Sequence, residues 1–592
     1  MTEGHDKVRA AFEVAEEIER PEGEAPPVDD APPPGPPKDE AQERLQKAAR
    51  FPLNDYGNGQ RLALHFGEDL MYVPRVGWFL WDGTRWEKDP DKLSVRRKAQ
   101  ALAPLILKET DHIFKSSRTS ELLDERAALS QKRAELEGLA AADRAETHDD
   151  DLKRVNARLE AVTKMLAGHQ KSIDRIRTHA KNAGNNGPLK HMVEEAETLL
   201  AKMLEDLDAV ALDVNCESGL LRFRVEDLRE EGAGKVARVA QVPHDRAQLQ
   251  TKKIPVVYDP KARCPKFDAF LREVQPVSEV VAFLQRWFGL SMTALPVQAM
   301  AFFHGDGANG KSVLVDLMAK IAGDYAATVR IESLTGTARR GGGDATPDLV
   351  PLIGARFART SEPDQGTRLQ EGLIKALTGG EPILVRALHS DFIEIRPIFK
   401  LTMSGNHKPE IRGTDDGIWR RVMMVPWTVT IPEERRNPHL VDELMDEAPG
   451  ILNWLVGGLI DYLEGGLRPP KVVTDATAEY RQESDPLGQF LGECCVVDGD
   501  DSRSLLTEDI KRGFDLWLRE AAMPVWKGRQ FQLSMKKKAD TWRHPQSGWT
   551  FTAGPRSAKS NYRGIRFSEA FQERLDQERW KRAPTPDPDD DQ

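Results

Sequence analysis

The stretch FFHGDGANGKSVLVDLMAKIAGDY, residues 302–325, decides how the chain is read. Apolar residues from Met300 to Phe303 lead into Gly305, Gly307 and Gly310, and then into Val313, Leu314, Leu317 and Ile321 at helical spacing. That order predicts a buried strand, a tight glycine turn and a helix with one apolar face. Residues 305–312 fit G-x-x-x-x-G-K-[ST]. Glycines at this spacing let successive backbone N–H groups point at phosphate oxygens, at the positive end of the following helix. Lys311 would reach the β- and γ-phosphates, and the Ser312 hydroxyl would join a magnesium shell. The expectation is a loop for ATP and Mg2+, with Gly305, Asp306, Gly307, Ala308, Asn309, Gly310, Lys311, Ser312 and Val313 around the nucleotide. A glycine-rich surface turn would need the same glycines but not the apolar strand and helix that flank them.

Length and composition set the frame. A chain of 592 residues implies two to four domains, each large enough for its own core. An apolar fraction of 39% and a charged fraction of 30% fit a soluble globular protein with some unfolded parts. No apolar run is long enough to cross a membrane: VVAFLQRWFGL is broken by Arg286, and ILNWLVGGLIDYL is too short. The acidic N-terminus lacks the apolar centre of a signal peptide. Cys216, Cys264, Cys494 and Cys495 show no C-x-x-C spacing, so neither zinc nor a disulfide framework is expected, and a cytoplasmic setting fits. The net charge of −11 argues against nucleic acid only if charge is evenly spread, and it is not.

Residues 1–45 carry thirteen Asp and Glu, with eight prolines between Pro21 and Pro37, and predict a disordered acidic tail. Residues 583–592, APTPDPDDDQ, predict another. An α+β domain is expected over 46–265. In it, Asp82-Gly83 between aromatic segments predicts a β-hairpin, with Trp78, Trp81 and Trp86 as a small core rather than base-stacking platforms. Leu152, Val155, Leu159, Val162 and Leu166 recur at three- and four-residue steps, which predicts a helical hairpin over about 118–170 with its turn at 147–151. Residues 209–260 look like short strands, and 266–475 form an α/β ATPase core.

In that core the strand within PLIGARFARTSEPD should end near Glu362 and Asp364. A carboxylate there, with Ser312, would hold magnesium and orient the attacking water; an exposed strand-end acid is the plainer alternative. A helix, RLQEGLIKALTGG, is followed by a hairpin turning near 389–391 and by a buried strand over 399–403. Asn406 lies just past that strand, where it could hold water or sense the γ-phosphate. Arg420 and Arg421 open the next strand and suit an arginine finger acting on a neighbouring subunit's ATP. The catalytic set is therefore Lys311, Glu362, Asn406, Arg420 and Arg421.

The order GDGANGKS, ARTSEPDQGTRLQEGLIKALTGGEPILVRAL, FKLTMSGNHKPEIRGTDDGIWRRV resembles the superfamily 3 helicases. It is most similar to the C-terminal helicase part of phage, plasmid and poxvirus-type primase–helicases. Residues 305–312 match that family's A motif, Glu362 its B motif, residues 373–388 its B′ region, Asn406 its C-motif sensor and Arg421 or Arg420 its finger. The resemblance implies an AAA+-like core and DNA contacts around the hairpin, which puts Lys375, Arg386 and His389 forward. The stretch FPLNDYGNGQRLALHFGEDLMYVPRVGWFLWDGTRW looks like the domain preceding these helicases, so the similarity covers about 51–570. It further implies a ring, expected to be a hexamer, moving on single-stranded and forked DNA in a bacterial host cell. No cysteine cluster or primase-like domain is visible, so a separate primase and other replisome proteins are the expected partners.

Residues 484–575 suggest a winged-helix DNA-binding domain: a helix pair within LLTEDIKRGFDLWLREAAM, a third helix, then a hairpin. Between Lys527 and Arg566 ten Lys and Arg stand against one acid, Asp540. Phosphate contacts are the natural use of such a segment, through Lys536, Lys537, Lys538, Arg543, Arg563 and Arg566; a solvated basic face is the alternative. Three functions stay open at this point. The chain is an unwinding helicase, or it is an origin-binding initiator or packaging motor that uses ATP without unwinding, or it is a primase as well. A small-molecule kinase would leave the paired arginines and the basic segment without a use.

Overall fold

The computed structural model describes residues 38–114, 117–227, 234–336, 345–386, 391–413, 416–555 and 560–582. Helix α1 (Lys38–Ala48) precedes α2 (Asp55–Phe66), whose first turn is capped by the Asn54 side chain accepting from the Gly57 N–H at 2.9 Å. The expected tail to residue 45 is thus too long. Residues 38–45 lie in α1, where Arg44 donates to the His65 carbonyl and Ala48 is buried. Strands β1 (Leu70–Val73), β2 (Gly77–Trp81) and β3 (Trp86–Asp89) form an antiparallel meander with Trp81 opposite Trp86. Gly83 at φ +100° makes the β2–β3 turn. Trp78 and Trp86 are buried, in keeping with a packing role.

The helical hairpin consists of α3 (Ser117–Gly138) and α4 (His148–Ala183). Its connection lies ahead of His148, earlier than 147–151, because Asp149, Asp150 and Asp151 favour the first turn of α4. Helix α5 (Asn186–Leu199) returns to α2. A fully buried Arg61–Glu109 pair at 2.8 Å ties this unit together. Strands β4 (Asp213–Cys216), β5 (Gly219–Asp227) and β6 (Lys235–Val242) form a second antiparallel sheet.

Helices α6 (Pro265–Val274) and α7 (Ser278–Leu290) lead into the central sheet. Its strands are β7 (Met300–His304), β8 (Ala326–Val329), β9 (Phe357–Thr360), β12 (Lys400–Gly405) and β13 (Val422–Pro426). All are parallel, in the order β13-β7-β12-β9-β8. Residues 350–352 are a single 3-10 turn, so the strand that delivers Glu362 is shorter than the apolar run around it. Helix α8 (Lys311–Ala322) follows β7. Helix α9 (Glu371–Gly379) precedes an antiparallel hairpin of β10 (Ile383–Val385) and β11 (Ile393–Ile395). Helix α10 (Ala448–Gly465) packs on α7 so closely that a Cβ on Gly289 would lie 2.4 Å from the Leu459 nitrogen. Helix α11 (Lys471–Glu483) belongs to the same body: the Thr477 hydroxyl accepts from the Met424 N–H at 2.9 Å. The unit built on the central sheet therefore runs past 475.

The C-terminal unit has its own core around Phe490, Phe514 and Phe531. Its order is α12 (Pro486–Cys494), β14 (Cys495–Val497), β15 (Ser504–Leu506), α13 (Thr507–Glu520), α14 (Gly528–Lys538), β16 (Thr552–Ala553), β17 (Asn561–Arg563), β18 (Ile565–Phe567) and α15 (Glu569–Arg582). Residues 505–523 hold a strand end and one helix instead of a helix pair. The apolar face of α13 runs unbroken from Ile510 through Phe514 and Trp517, which keeps it a single helix. The unit continues beyond 575 through α15. Most of residues 1–45 and all of 583–592 lie outside the described residues.

Candidate active site

A cavity of about 750 Å³ opens where β7, β9 and β12 end. Its floor is the glycine turn between β7 and α8. Gly307, Ala308 and Gly310 have φ of +96°, +47° and +81°, a conformation that costs glycine little and most residues more. Two glycines are also required by close approach. A Cβ on Gly305 would lie 2.1 Å from the Trp427 carbonyl oxygen, and one on Gly310 would lie 2.5 Å from Val274 Cγ1. The loop is pinned from the far side, where the Ile431 N–H donates to the Ala308 carbonyl at 2.7 Å.

Lys311, the first residue of α8, is only 4% exposed. Its Nζ donates to the Gly305 carbonyl at 2.8 Å and to Asn406 Oδ1 at 2.9 Å. Burial lowers its pKa, while the nearby charges of Glu362 and Asp306 act in the opposite sense. An ammonium bonded only to neutral oxygens in a cavity is suited to an anion. Glu362 lies two residues beyond β9, and one of its oxygens accepts the Asn406 and His407 N–H groups at 2.5 and 3.1 Å. This carboxylate therefore holds the loop after β12, while Asn406 on that loop holds Lys311. Ser312, Glu362 and Asn406 all line the cavity with Gly307, Ala308, Asn309, Gly310 and Val313. The donor set fits ATP with Mg2+: a cation for phosphate, a hydroxyl and a carboxylate for the metal.

Several expected residues fall elsewhere. Asp364 is exposed and is not part of the cavity wall. Neither Gly305, which is buried, nor Asp306, which is exposed, lines the cavity. Arg420 and Arg421 precede β13, whose Val422 is in register with Met300 at the start of β7. They sit at the opposite edge of the sheet, about 15–20 Å along the strands from the glycine turn. Arg421 is 7% exposed and donates to the Gly417 carbonyl at 2.6 Å. Arg420 is exposed, with Nη2 at 3.3 Å from Gln298 Oε1. Of the two, only Arg420 is presented outward. Lys375 is half-buried on α9. The Arg386 guanidinium lies 4.6 Å over the Phe392 ring, at the turn end of the β10–β11 hairpin. His389 lies outside the described residues.

The cavity also contains residues that sequence reasoning misses. Phe270 and Val274 on α6 face Ile431 and Leu440 across an apolar slot. Arg435 and Arg436 border it, Arg435 paired with Glu273 and Arg436 donating to the Ile431 carbonyl at 3.1 Å. Arg359 joins from β9, donating to Thr328 Oγ1 at 3.1 Å and pairing with Asp316. The run EERRNP looks like solvated charge, and only the folding of 431–440 back over the loop brings it to the cavity.

In the C-terminal unit Lys536 and Lys537 are exposed on α14, as is Arg543 beyond it. Lys538 is 7% exposed and paired with Asp485, so it is not available to DNA; helical spacing turns it into the core behind its two neighbours. Arg563 is half-buried on β17, and Arg566 is half-buried with Asp498 4.0 Å away.

Comparison with known proteins finds partial matches along the chain. Residues 59–276 match the family described as D5 N terminal like, and residues 303–421 match a family of unknown function, DUF5906. "Putative helicase L207/L206" of Acanthamoeba polyphaga mimivirus is 27% identical over 270 residues, 43% of this chain and 28% of that protein. Both family models are found in phage and viral primase–helicase proteins, which this chain resembles. "Putative helicase 022R" of Frog virus 3 is 29% identical over 38% of this chain and 24% of its own length. "Putative helicase 184R" of Invertebrate iridescent virus 6 is 21% identical over 76% of this chain and 48% of its own length. The chain thus spans less than half the length of these curated relatives. The solved C-terminal region of NrS-1 (305–718) is 13% identical over 58% of this chain and 96% of that one, at a TM-score of 0.33, too loose a superposition to argue from. Among the described residues no helix is long and apolar enough to cross a membrane.

Proposed function

We propose that the chain is an ATP-dependent replicative DNA helicase of a phage, prophage or plasmid replicon, working as a ring, a hexamer, in the cytoplasm of a bacterial host. The observation that carries this is the division of the site. Lys311, Glu362 and Asn406 meet at adjacent strand ends, while the exposed Arg420 stands at the opposite end of the strands of the same sheet. An arginine so placed cannot serve its own cavity, but it can serve a neighbour's when subunits meet edge to edge. Lys311 and the N–H groups of the turn would hold the phosphates, with Ser312 and Glu362 at the metal. Mg2+, when bound, would neutralise charge between the β- and γ-phosphates. Glu362 orients the attacking water, and Asn406 senses the γ-phosphate through the same amide that now holds Lys311. Arg420 of the next subunit stabilises charge on the transferring group.

The β10–β11 hairpin, with Arg386 at its turn end, and Lys375 on the preceding α9 would face single-stranded DNA in the ring's channel. We also read the C-terminal unit as a winged helix. The order α12, β15, α13, α14, β16, β17 and the sheet order β15-β17-β16 support that reading, with α14 presenting Arg529, Lys536 and Lys537 outward. A separate primase and other replisome proteins are the proposed partners.

DNA-stimulated ATP hydrolysis should be abolished by Lys311→Ala, and hydrolysis that survives this change would overturn the assignment. The exposed basic face of α14 also favours a second reading, an origin-binding initiator that uses ATP as a switch. A forked-duplex assay separates the two: strand displacement supports the helicase, and tight DNA binding without displacement supports the switch.

A further inference from the structure

The arm formed by α3 and α4 has no part in the site described above, yet one of its faces is chemically distinct. Lys153, Lys164, Lys171 and Arg175 on α4 are all exposed. Their spacing of 11, 7 and 4 residues brings them within about 40° of one another at 3.6 residues per turn. Val155, Val162, Ile173, Ile176 and Ala180, the buried residues of α4, lie on the opposite side. Among the described residues none of the four cations forms an ion pair, whereas Arg154, Arg158 and Arg177 on the flanks pair with Asp151, Glu125 and Asp174. The four therefore make a straight row about 33 Å long at 1.5 Å per residue, interrupted only by Glu160.

Charge along the arm is polarised. Residues 161–183 hold five Lys and Arg against one acid, while residues 139–151, at the tip, hold five acids against one Arg. A polyanion would be drawn to the half of α4 nearer the body and turned away from the tip. Neither α3 nor α4 contains Phe, Tyr or Trp. That absence favours one kind of nucleic acid over another. Proteins that hold single strands use aromatic platforms on which bases stack, whereas contact with a duplex backbone needs only cations at intervals along a rigid support.

We propose that this face of α4 binds the phosphate backbone of duplex DNA without sequence preference. The inference rests on the proposed DNA-motor reading only for the presence of DNA, and the site is independent of the ATP cavity. The arm would hold the unopened duplex beside the ring while a single strand passes through it.

The test uses the full chain without nucleotide and a blunt duplex of about 30 base pairs, followed by fluorescence anisotropy across a salt series. The variant Lys164→Ala/Lys171→Ala/Arg175→Ala should lose about tenfold or more in duplex affinity at 0.1 M salt, and the slope of log affinity against log salt should fall by about 3. Glu160→Lys, which completes the row, should raise both affinity and slope, by about one contact. Single-strand-stimulated ATP hydrolysis should stay at the level of the unchanged chain in both variants. Duplex affinity and salt slope that do not move in either variant would overturn the proposal. Its failure is distinguishable from failure of the motor reading, because Lys311→Ala should leave the duplex affinity and its dependence on the α4 row intact.

Discussion

Two regions of this molecule use lysine in opposite ways. In the cavity at the glycine turn a single ammonium, Lys311, is buried and held by two neutral oxygens on separate loops. Lys536 and Lys537 on α14 and the lysines of α4 are exposed. The buried cation acts through position: its surroundings have low dielectric and interact strongly with a phosphate. The exposed cations act through number, because each is screened and contributes one more released counterion. Substitutions should therefore have all-or-none effects in the first region and graded, salt-dependent effects in the second.

The sharpest way to test that contrast is Arg420, an exposed cation assigned to the all-or-none class. Arg420→Ala should lower the ATPase rate of the assembled ring by about 10³-fold. Mixing it with Lys311→Ala subunits should restore part of the activity, because each defective chain supplies what the other lacks. No recovery in the mixed ring would return Arg420 to the ordinary surface. Arg421→Ala should instead lower the melting temperature, since its guanidinium is buried against Gly417.

Glu362→Gln keeps the acceptor for the Asn406 and His407 N–H groups but removes the charge. Turnover should fall by about 10²- to 10³-fold while nucleotide binding, read by fluorescent-analogue titration, persists. Loss of binding together with turnover would mean that the carboxylate mainly shapes the loop.

Within three consecutive lysines of α14 the two behaviours meet. Lys536→Ala/Lys537→Ala should weaken DNA binding a few-fold and reduce the salt slope by about 2, with no change in melting. Lys538→Ala should leave DNA affinity unchanged and destabilise the C-terminal unit by about 2 kcal/mol, by leaving Asp485 without its partner. The reverse pattern would mean that α14 faces the other way.

The smallest effect is expected at His65, whose pKa is lowered to about 4, first by burial and then by Arg44 and Arg61. The unfolded chain takes up this proton near pH 6.5 and the folded chain refuses it until about 4. The stability gained from a neutral His65 is thus full above about pH 6.5 and is lost as pH falls toward 4. Melting of the N-terminal unit should drop across that window, and His65→Gln should flatten the drop.

Much of the candidate site is legible in the residues alone. The glycine turn is legible because steric demands at residues 305, 307 and 310 admit few other residues, and Glu362 and Asn406 because each follows a short apolar strand. The pairing of those two residues is not legible, since a backbone N–H accepted by a carboxylate leaves no trace in residue type. Arg435, Arg436 and the slot from Phe270 to Leu440 escape sequence reasoning for a similar reason: they come from segments about 170 residues apart. Expected helix boundaries fail where charge resembles disorder, as in α1, or a turn, as at the start of α4.

By itself, the sequence determined that a tight glycine turn exists, where its strand and helix lie, and which acids and amides follow the neighbouring strands. These are local matters, set by backbone conformation and apolar period over a few residues. Tertiary structure alone decided which of two adjacent arginines faces outward, which of three adjacent lysines is buried, and which row of α4 stays clear of ion pairs among the described residues. Each of those outcomes depends on what packs against the other side of a strand or helix, and that partner comes from a distant part of the chain.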